Sequence, residues 1–453
     1  MAKLQRSEGD INISKYRDAW QKANIDADSR ALLDEDERYF LRQSLSTPCL
    51  NAMQGCEGIY IEDFQGRRYM DFHGNNVHQV GFGNPQVLAA VKKQLDELPF
   101  CTRRYTNRVA VDLARKLVEM APGELDKVLF CPGGAEAIGI ALKLARMATG
   151  RHKTISMWDA FHGAGLDTIS IGGEAIFRQD IGPLLPGTEH APPPDEYRCV
   201  FGCSDRGGCD MTCAGYVEYM LEKEGDVAAV IAEPIRSTPY IPKPDYWKRI
   251  RAACDRHGAL LIFDEIPHAL GRTGRMFTFE NFGIVPDMVV IGKGLGGGVF
   301  PLAALIAKGS LDVAAERALG HYTHEKSPVG CAAALATIDF IEKHDLGGHA
   351  RELGAYALER MQKMMASHSL IGDVRGIGLF LGMELVRDRS TRERAIQEAE
   401  AVMYGALSRG LSFKLTMGNI LTLTPPLIIT REEMDRALDI IDTCLFEVET
   451  QRR

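Results

Sequence analysis

The sequence predicts an α/β fold: a mostly parallel sheet covered by helices, followed by a smaller α+β segment. Three observations predict it. From about residue 105 to 310, short apolar runs alternate with stretches of helical spacing, the pattern of successive βα units. Two of those runs end in chemistry-bearing residues, an acid after one and a lysine among glycines after another. Beyond about residue 330, a long helical stretch gives way to strand-like segments with a helix between them.

Taken in order, residues 1–48 are polar and helix-leaning and read as an N-terminal arm. Residues 58–72 read as two short strands around a turn. Helical spacing covers 109–120 and 135–148, whereas 153–158, 228–232, 260–264 and 288–291 are apolar runs suited to buried strands. Residues 172–215, rich in glycine, proline and cysteine, read as a long loop or insertion near the sheet. Helical spacing returns over 331–344, 353–367 and 391–408, with a segment over 374–386 and a strand-like run over 420–424. There is no internal repeat and no low-complexity tract. The expected organisation is an arm and part of a small domain over 1–70, a large domain over 71–330, and a C-terminal small domain over 331–453.

Composition narrows the function classes. A hydrophobic share of 45% and a charged share of 25% suit a soluble globular protein and exclude disordered, collagenous and coiled-coil readings. The net charge of −8, with scattered basic residues, leaves no basic field to hold nucleic acid or an anionic membrane. No apolar run approaches the roughly 18 residues of a membrane span, and the polar N-terminus lacks a signal-peptide core. Eleven cysteines without such a signal point to reduced thiols in the cytoplasm. Cys199, Cys203, Cys209 and Cys213 form C-x3-C-x5-C-x3-C, looser than the paired C-x2-C of zinc sites. They read as reduced loop cysteines, so no metal is expected. The one excess is glycine, 45 residues.

Two motifs carry the chemistry. Leu260-Leu261-Ile262-Phe263-Asp264-Glu265 ends an apolar run in acid, and Met288-Val289-Val290-Ile291-Gly292-Lys293-Gly294 ends another in a lysine between glycines. In an open parallel sheet the strand carboxyl ends face the ligand crevice, so both side chains would converge there. A lysine with small neighbours can form a Schiff base with a carbonyl, and an aspartate can keep a pyridinium nitrogen protonated. Pyridoxal phosphate (PLP) needs both.

The run Ile262 to Gly298, IFDEIPHALGRTGRMFTFENFGIVPDMVVIGKGLGGG, resembles the signature of class III (ω-)aminotransferases, a fold-type-I PLP family, and the likeness extends over roughly 49–446. The resemblance implies a large domain with a seven-stranded, mostly parallel sheet, a small α+β domain, and a homodimer with active sites at the interface. It implies that Lys293 carries the cofactor, that Asp264 faces the pyridine nitrogen, and that Phe161 and Ile266 pack its two faces. His162 follows Phe161 in the family's aromatic-His-Gly motif, Glu233 is the acid near the cofactor, and Thr323 reaches the phosphate of the neighbouring subunit. Gly133 and Ala135 stand at a helix start where the family has hydroxyl residues; the backbone N–H groups of Gly134 and Ala135 can still cradle the phosphate.

Three departures bear on substrate. Pro267 stands where the family has a glutamine bonded to the cofactor's phenolic oxygen, and the adjacent His268 is either its substitute or a loop histidine without that role. Thr422 stands where many members carry a carboxylate-gripping arginine, while Lys414 lies near the place of another branch's arginine. Lys414 is either a point charge for a phosphate or phosphonate or an exposed strand lysine. The family's apolar pocket stretch is replaced by His73-Gly74-Asn75-Asn76-Val77-His78-Gln79. His73, Asn75, Asn76 and His78 can all bond anionic oxygens or a hydroxyl.

These departures resemble the family's phosphonate ammonia-lyase branch. Its members eliminate water from a small hydroxy-aminoalkylphosphonate and hydrolyse the resulting enamine, converting (R)-1-hydroxy-2-aminoethylphosphonate to phosphonoacetaldehyde and ammonia. The alternatives are an ω-aminotransferase that passes the amino group to a keto acid, and a silent PLP-fold regulator or scaffold. Intact Lys293 and Asp264 speak against the last.

Overall fold

The apolar runs become the inner strands of one sheet. The computed structural model describes residues 12–205 and 207–452, which fall into two units: Asn84–Gly348, and residues 12–83 with 349–452. In the first unit the sheet strands are β1 (Leu125–Cys131), β2 (Lys153–Met157), β3 (Thr188–Ala191), β4 (Val227–Ala232), β5 (Leu260–Asp264), β6 (Met288–Ile291) and β7 (Ala303–Lys308). Their spatial order is β1-β7-β6-β5-β4-β2-β3. Neighbours from β3 to β6 are parallel, and β7 runs antiparallel to β6 and β1. This is the expected seven-stranded, mostly parallel sheet.

Strands β4 and β6 are buried along their whole length, because both faces of a central parallel strand are covered. The helix Gly134–Thr149 lays Ala137, Ile138 and Ala141 into one apolar core with Ile231 of β4, Ile262 of β5 and Val290 of β6. Burying such side chains stabilises by roughly 25 cal/mol per Å² of apolar surface, which fixes the start of this helix over the strand ends. Helices Pro85–Glu97 and Pro328–Lys343 pack on each other. Both start with proline in the first turn behind a capping side chain, Asn84 and Ser327 respectively, the preferred chemistry of a helix N-terminus.

Segment 172–215, expected as a loop, contributes the edge strand β3. Its Thr-Glu-His-Ala sequence is half-buried on one open edge, so neither an apolar run nor a clean alternation marks it.

In the second unit, Tyr60–Asp63 and Arg68–Asp71 form the expected antiparallel pair. The turn between them is held by Asp63, whose carboxylate accepts the N–H groups of Gln65 and Arg67. Leu411–Ser412 joins Arg68–Asp71 in parallel. A second sheet takes Ile371–Ile377, Phe380–Leu385, Ile420–Leu423 and Lys414–Thr416, all antiparallel. Helices Lys15–Asn24 and Ala27–Tyr39, capped by Ser14 and Asp26, form the described part of the expected arm; its residues 1–11 lie outside the described residues. Among the described residues no helix is long and apolar enough to cross a membrane.

Candidate active site

Because β2, β4, β5 and β6 are parallel, their carboxyl ends deliver successive loops to one edge of the sheet. Those loops carry Phe161 and His162 after β2, Glu233 after β4, Ile266 after β5 and Lys293 after β6. Asp264 is the last residue of β5 and is buried. Its Oδ2 accepts a 2.8 Å bond from His162 Nδ1, and its Oδ1 accepts the Ile266 N–H at 3.1 Å. His162 Nε2 is buried with no hydrogen-bond partner in the structure.

Close approaches tie these loops to the helix Gly134–Thr149 and to one another. A Cβ on Gly134 would lie 2.6 Å from Ile266 Cδ1, and one on Gly292 would lie 3.4 Å from Ile266 Cγ2. A Cβ on Gly163, at φ +124°, would lie 2.6 Å from Ala135 Cβ. The helix begins at Gly133 with no side-chain cap, and the first backbone N–H groups of a helix have no intrahelical acceptor. Phe161 packs against Phe177, with ring centroids 4.5 Å apart. Thr323 lies exposed on the loop before Pro328–Lys343.

Lys293 opens a short helix at φ 45°, left-handed for a residue with a side chain. Burial pushes its ammonium below the ordinary lysine range, against the opposing pull of the Asp264 and Glu233 carboxylates. Glu233 is buried and bonded to Arg236 Nη1 at 3.2 Å and to Ser237; Arg236 Nη2 also pairs with buried Glu174. Burial disfavours the Arg236 charge, but the two carboxylates outweigh it and raise its pKa. His268 turns inward and is fully buried. Burial lowers its pKa to about 4; Glu233 raises it, and Lys293 and Arg236 lower it further. It is therefore a neutral imidazole at neutral pH. Sequence reasoning missed Arg236 and Glu174. Arg236 had a local signal, an arginine three residues after a strand-end glutamate; Glu174 had none, since only the fold brings it to Arg236.

The other sequence-predicted site residues lie in the second unit. Gly74, Asn75 and Asn76 take φ values of 46°, 46° and 59° in one tight turn. Buried Asp71 accepts the N–H groups of His73 at 2.9 Å and Gly74 at 3.1 Å. Burial raises the Asp71 carboxyl to about 6 against the lowering effect of those two amides. His73 is half-buried, Asn75 exposed, and His78 fully buried with Nε2 donating to the Asp71 carbonyl at 3.1 Å. Lys414 is half-buried opposite Thr422, and burial lowers it to about 8. Directly opposed residues share a sheet face.

Of the four cysteines, Cys203 and Cys213 are buried, and Cys203 Sγ bonds Asp210 Oδ1 at 3.1 Å. Among the described residues, no group of three His, Cys, Asp or Glu is arranged to hold a metal ion.

The first unit offers what PLP requires. An uncapped helix start suits a phosphate, a buried carboxylate suits a protonated ring nitrogen, and a desolvated lysine suits a carbonyl carbon. His162 Nε2 is an unpartnered buried nitrogen beside Asp264, and a Cβ at Gly134 would meet Ile266.

Comparison with known proteins agrees. The family profile "Aminotransferase class-III" matches residues 43–445. The chain is 48% identical to an (R)-1-hydroxy-2-aminoethylphosphonate ammonia-lyase of Vibrio splendidus, over 98% of this chain and 95% of that one. It is 38% identical to a leucine/methionine racemase of Thermococcus litoralis, over 93% and 96% of the two chains. An amine transaminase from an uncultivated Pseudomonas species, solved in its PLP-bound form, superposes with a TM-score of 0.82 at 30% identity, covering 90% of this chain and 99% of that one.

Proposed function

From the premise that this chain belongs to the class III aminotransferase family, we propose that it is a PLP-dependent ammonia-lyase of phosphonate breakdown. Its substrate on this reading is (R)-1-hydroxy-2-aminoethylphosphonate, and its products are phosphonoacetaldehyde and ammonia. The observation that carries the reading is the near-full-length likeness to the Vibrio splendidus enzyme. Lys414 opposite Thr422 agrees with it, since a compact ammonium suits a tetrahedral phosphonate.

Lys293 holds the cofactor covalently; Gly134 and Ala135 give their N–H groups to its phosphate, with Thr323 of a second copy in a homodimer. Phe161 and Ile266 bracket the ring. Bound there, PLP supplies a sink for the electron pair left when the carbon bearing nitrogen loses a proton. Asp264, aimed by its bond to His162, holds the proton on the ring nitrogen. The Lys293 amine, once free, takes the substrate proton; burial raises its neutral fraction above that of a surface lysine. Glu233, clamped by Arg236, opposes the effect of burial on that amine. Lys414 has the charge that suits a phosphonate, and His73, Asn75, Asn76 and His78 have the hydrogen-bonding groups that suit a hydroxyl. Water then releases ammonia and the aldehyde, so no keto acid is consumed. The enzyme works in the cytoplasm.

The test is a mixture of enzyme, PLP and the hydroxy-aminoethylphosphonate with no keto acid. Equal amounts of ammonia and phosphonoacetaldehyde are expected. Turnover strictly dependent on pyruvate or 2-oxoglutarate overturns the reading in favour of transamination.

A further inference from the structure

Glu174 ties together two loops at the carboxyl edge of the large sheet. Its backbone lies against the loop after β2: the N–H groups of Gly173 and Glu174 both donate to the Ala160 carbonyl, at 2.7 and 3.4 Å. A Cβ on Gly173 would lie 2.5 Å from the Met157 carbonyl oxygen, so only glycine permits that approach. Phe161, the residue after Ala160, packs on Phe177 of the same segment. The Glu174 side chain reaches the loop after β4 instead. Its Oε1 accepts Arg236 Nη2, while Arg236 Nη1 donates to Glu233 Oε2 at 3.2 Å. Glu233 Oε1 accepts the hydroxyl and the N–H of Ser237, so both its oxygens are engaged.

Glu174, Arg236 and Glu233 are each more than nine-tenths buried. Apolar side chains of similar volume would hold two loops together at least as firmly as a buried ion group, so joining the loops does not by itself call for one. Its place points to another use. Ala232 pairs with Phe263, and Asp264 with Val290, in parallel register. Glu233, Asp264 and the loop of Lys293 therefore leave neighbouring strand ends. Arg236 faces Glu233 and Glu174, with Asp159 and Tyr240 acting on it in the same sense. Lys293 faces Asp264 and Glu233, which both oppose the effect of burial on its nitrogen, and His268. A guanidinium divided between two carboxylates offsets each of them less than it would offset one alone.

We propose that Glu174 is a positioning residue that acts through Arg236: by holding the guanidinium from the side away from Glu233, it leaves Glu233 able to act on the Lys293 nitrogen. This rests on Lys293 carrying the cofactor, and not on the identity of the substrate.

The test is a pH titration of the visible absorbance of the PLP-loaded enzyme, which follows the proton on the Lys293 nitrogen and needs no substrate. Glu174→Gln keeps an oxygen for Arg236 but is no longer a carboxylate. Arg236 should then turn to Glu233, the pull on Lys293 weaken, and the midpoint fall by about one pH unit, the lower end of what one neighbouring charge does. Arg236→Gln uncovers Glu233 and should raise the midpoint by a similar amount. The double variant should match Arg236→Gln, because Glu174 acts only through the arginine. Where Arg236→Gln does not fold, the double variant and Glu174→Gln should still lie on opposite sides of wild type. A role confined to packing would move every variant the same way. Such a common shift, an unchanged midpoint in Glu174→Gln, or a double variant that follows Glu174→Gln overturns the proposal. The ammonia-lyase reading fails separately, when the wild-type enzyme releases no ammonia from the hydroxy-aminoethylphosphonate. Visible absorbance that survives Lys293→Ala overturns the lysine's role, and this proposal with it.

Discussion

Asp264 and Asp71 are both buried carboxylates on the last residue of a strand, one in each unit of the chain. Asp264 is bonded to a side chain from a different loop, His162, and to one nearby amide. Asp71 is bonded to two amides of the residues that follow it. The first arrangement stitches separate loops into a site; the second shapes a single turn. A carboxylate shared between loops suits chemistry that needs groups from several strands. One that folds its own turn suits a local surface that can change without disturbing the rest. The motif residues Phe161, Glu233 and Lys293 lie in the unit of the first, as do the departures at Pro267 and His268; the departures over 73–79 and at Lys414 and Thr422 lie in the unit of the second.

That division can be broken by experiment, most sharply at Lys293. Lys293→Ala should lower ammonia release by about 10⁴-fold or more and remove the visible absorbance of the bound cofactor, while amide exchange over 70–82 stays as in wild type. An unchanged spectrum would overturn the lysine's role. Next comes Lys414→Ala, expected to raise KM by about 100-fold, the scale of a charge-assisted bond to an anion, with the cofactor spectrum intact.

The pH dependence sharpens that second test. Lys414 is lowered to about 8 by burial, and its charged form lies below that value. Hence kcat/KM should fall as pH rises through about 8. Lys414→Arg stays charged and should remove that fall, whatever its own affinity; a fall that persists in the arginine variant assigns the titration elsewhere.

A smaller effect is expected at His162. His162→Phe keeps the ring volume but loses the bond to Asp264, and should lower kcat about 10- to 30-fold and speed cofactor loss on dialysis. Equal retention of cofactor by variant and wild type would show that Asp264 needs no such hold. The smallest is Gly134→Ala, whose Cβ would meet Ile266 Cδ1 at 2.6 Å. It should cost about 1–3 kcal/mol of stability, read as a lowered Tm, and Ile266→Val should recover part of that loss.

The cofactor side of the molecule was legible because its strands are unbroken apolar runs and its key residues follow strand ends. The burial of Leu261, Ile262, Phe263 and Met288–Ile291 on a two-sided sheet leaves little choice of residue type. The edge strand Thr188–Ala191 was not legible, since one open edge tolerates Thr-Glu-His-Ala. Nor was the bond of Arg236 to Glu174, which exists only once β2 and β4 lie side by side. His78 reads in sequence as one more polar residue of a polar stretch. Its fully buried ring depends on the left-handed turn above it and on Gly74 lacking a Cβ, which no local spacing announces.

Ile266 touches the places of two missing Cβ atoms, at Gly134 and at Gly292. These three positions therefore divide a single fixed volume between a helix start, a loop and a strand end. Across related chains they should vary as a set: a methyl gained at position 134 or 292 should coincide with a shorter side chain at 266. Statistical coupling among three positions so far apart in sequence would record, over evolutionary time, the same steric limit that one structure shows.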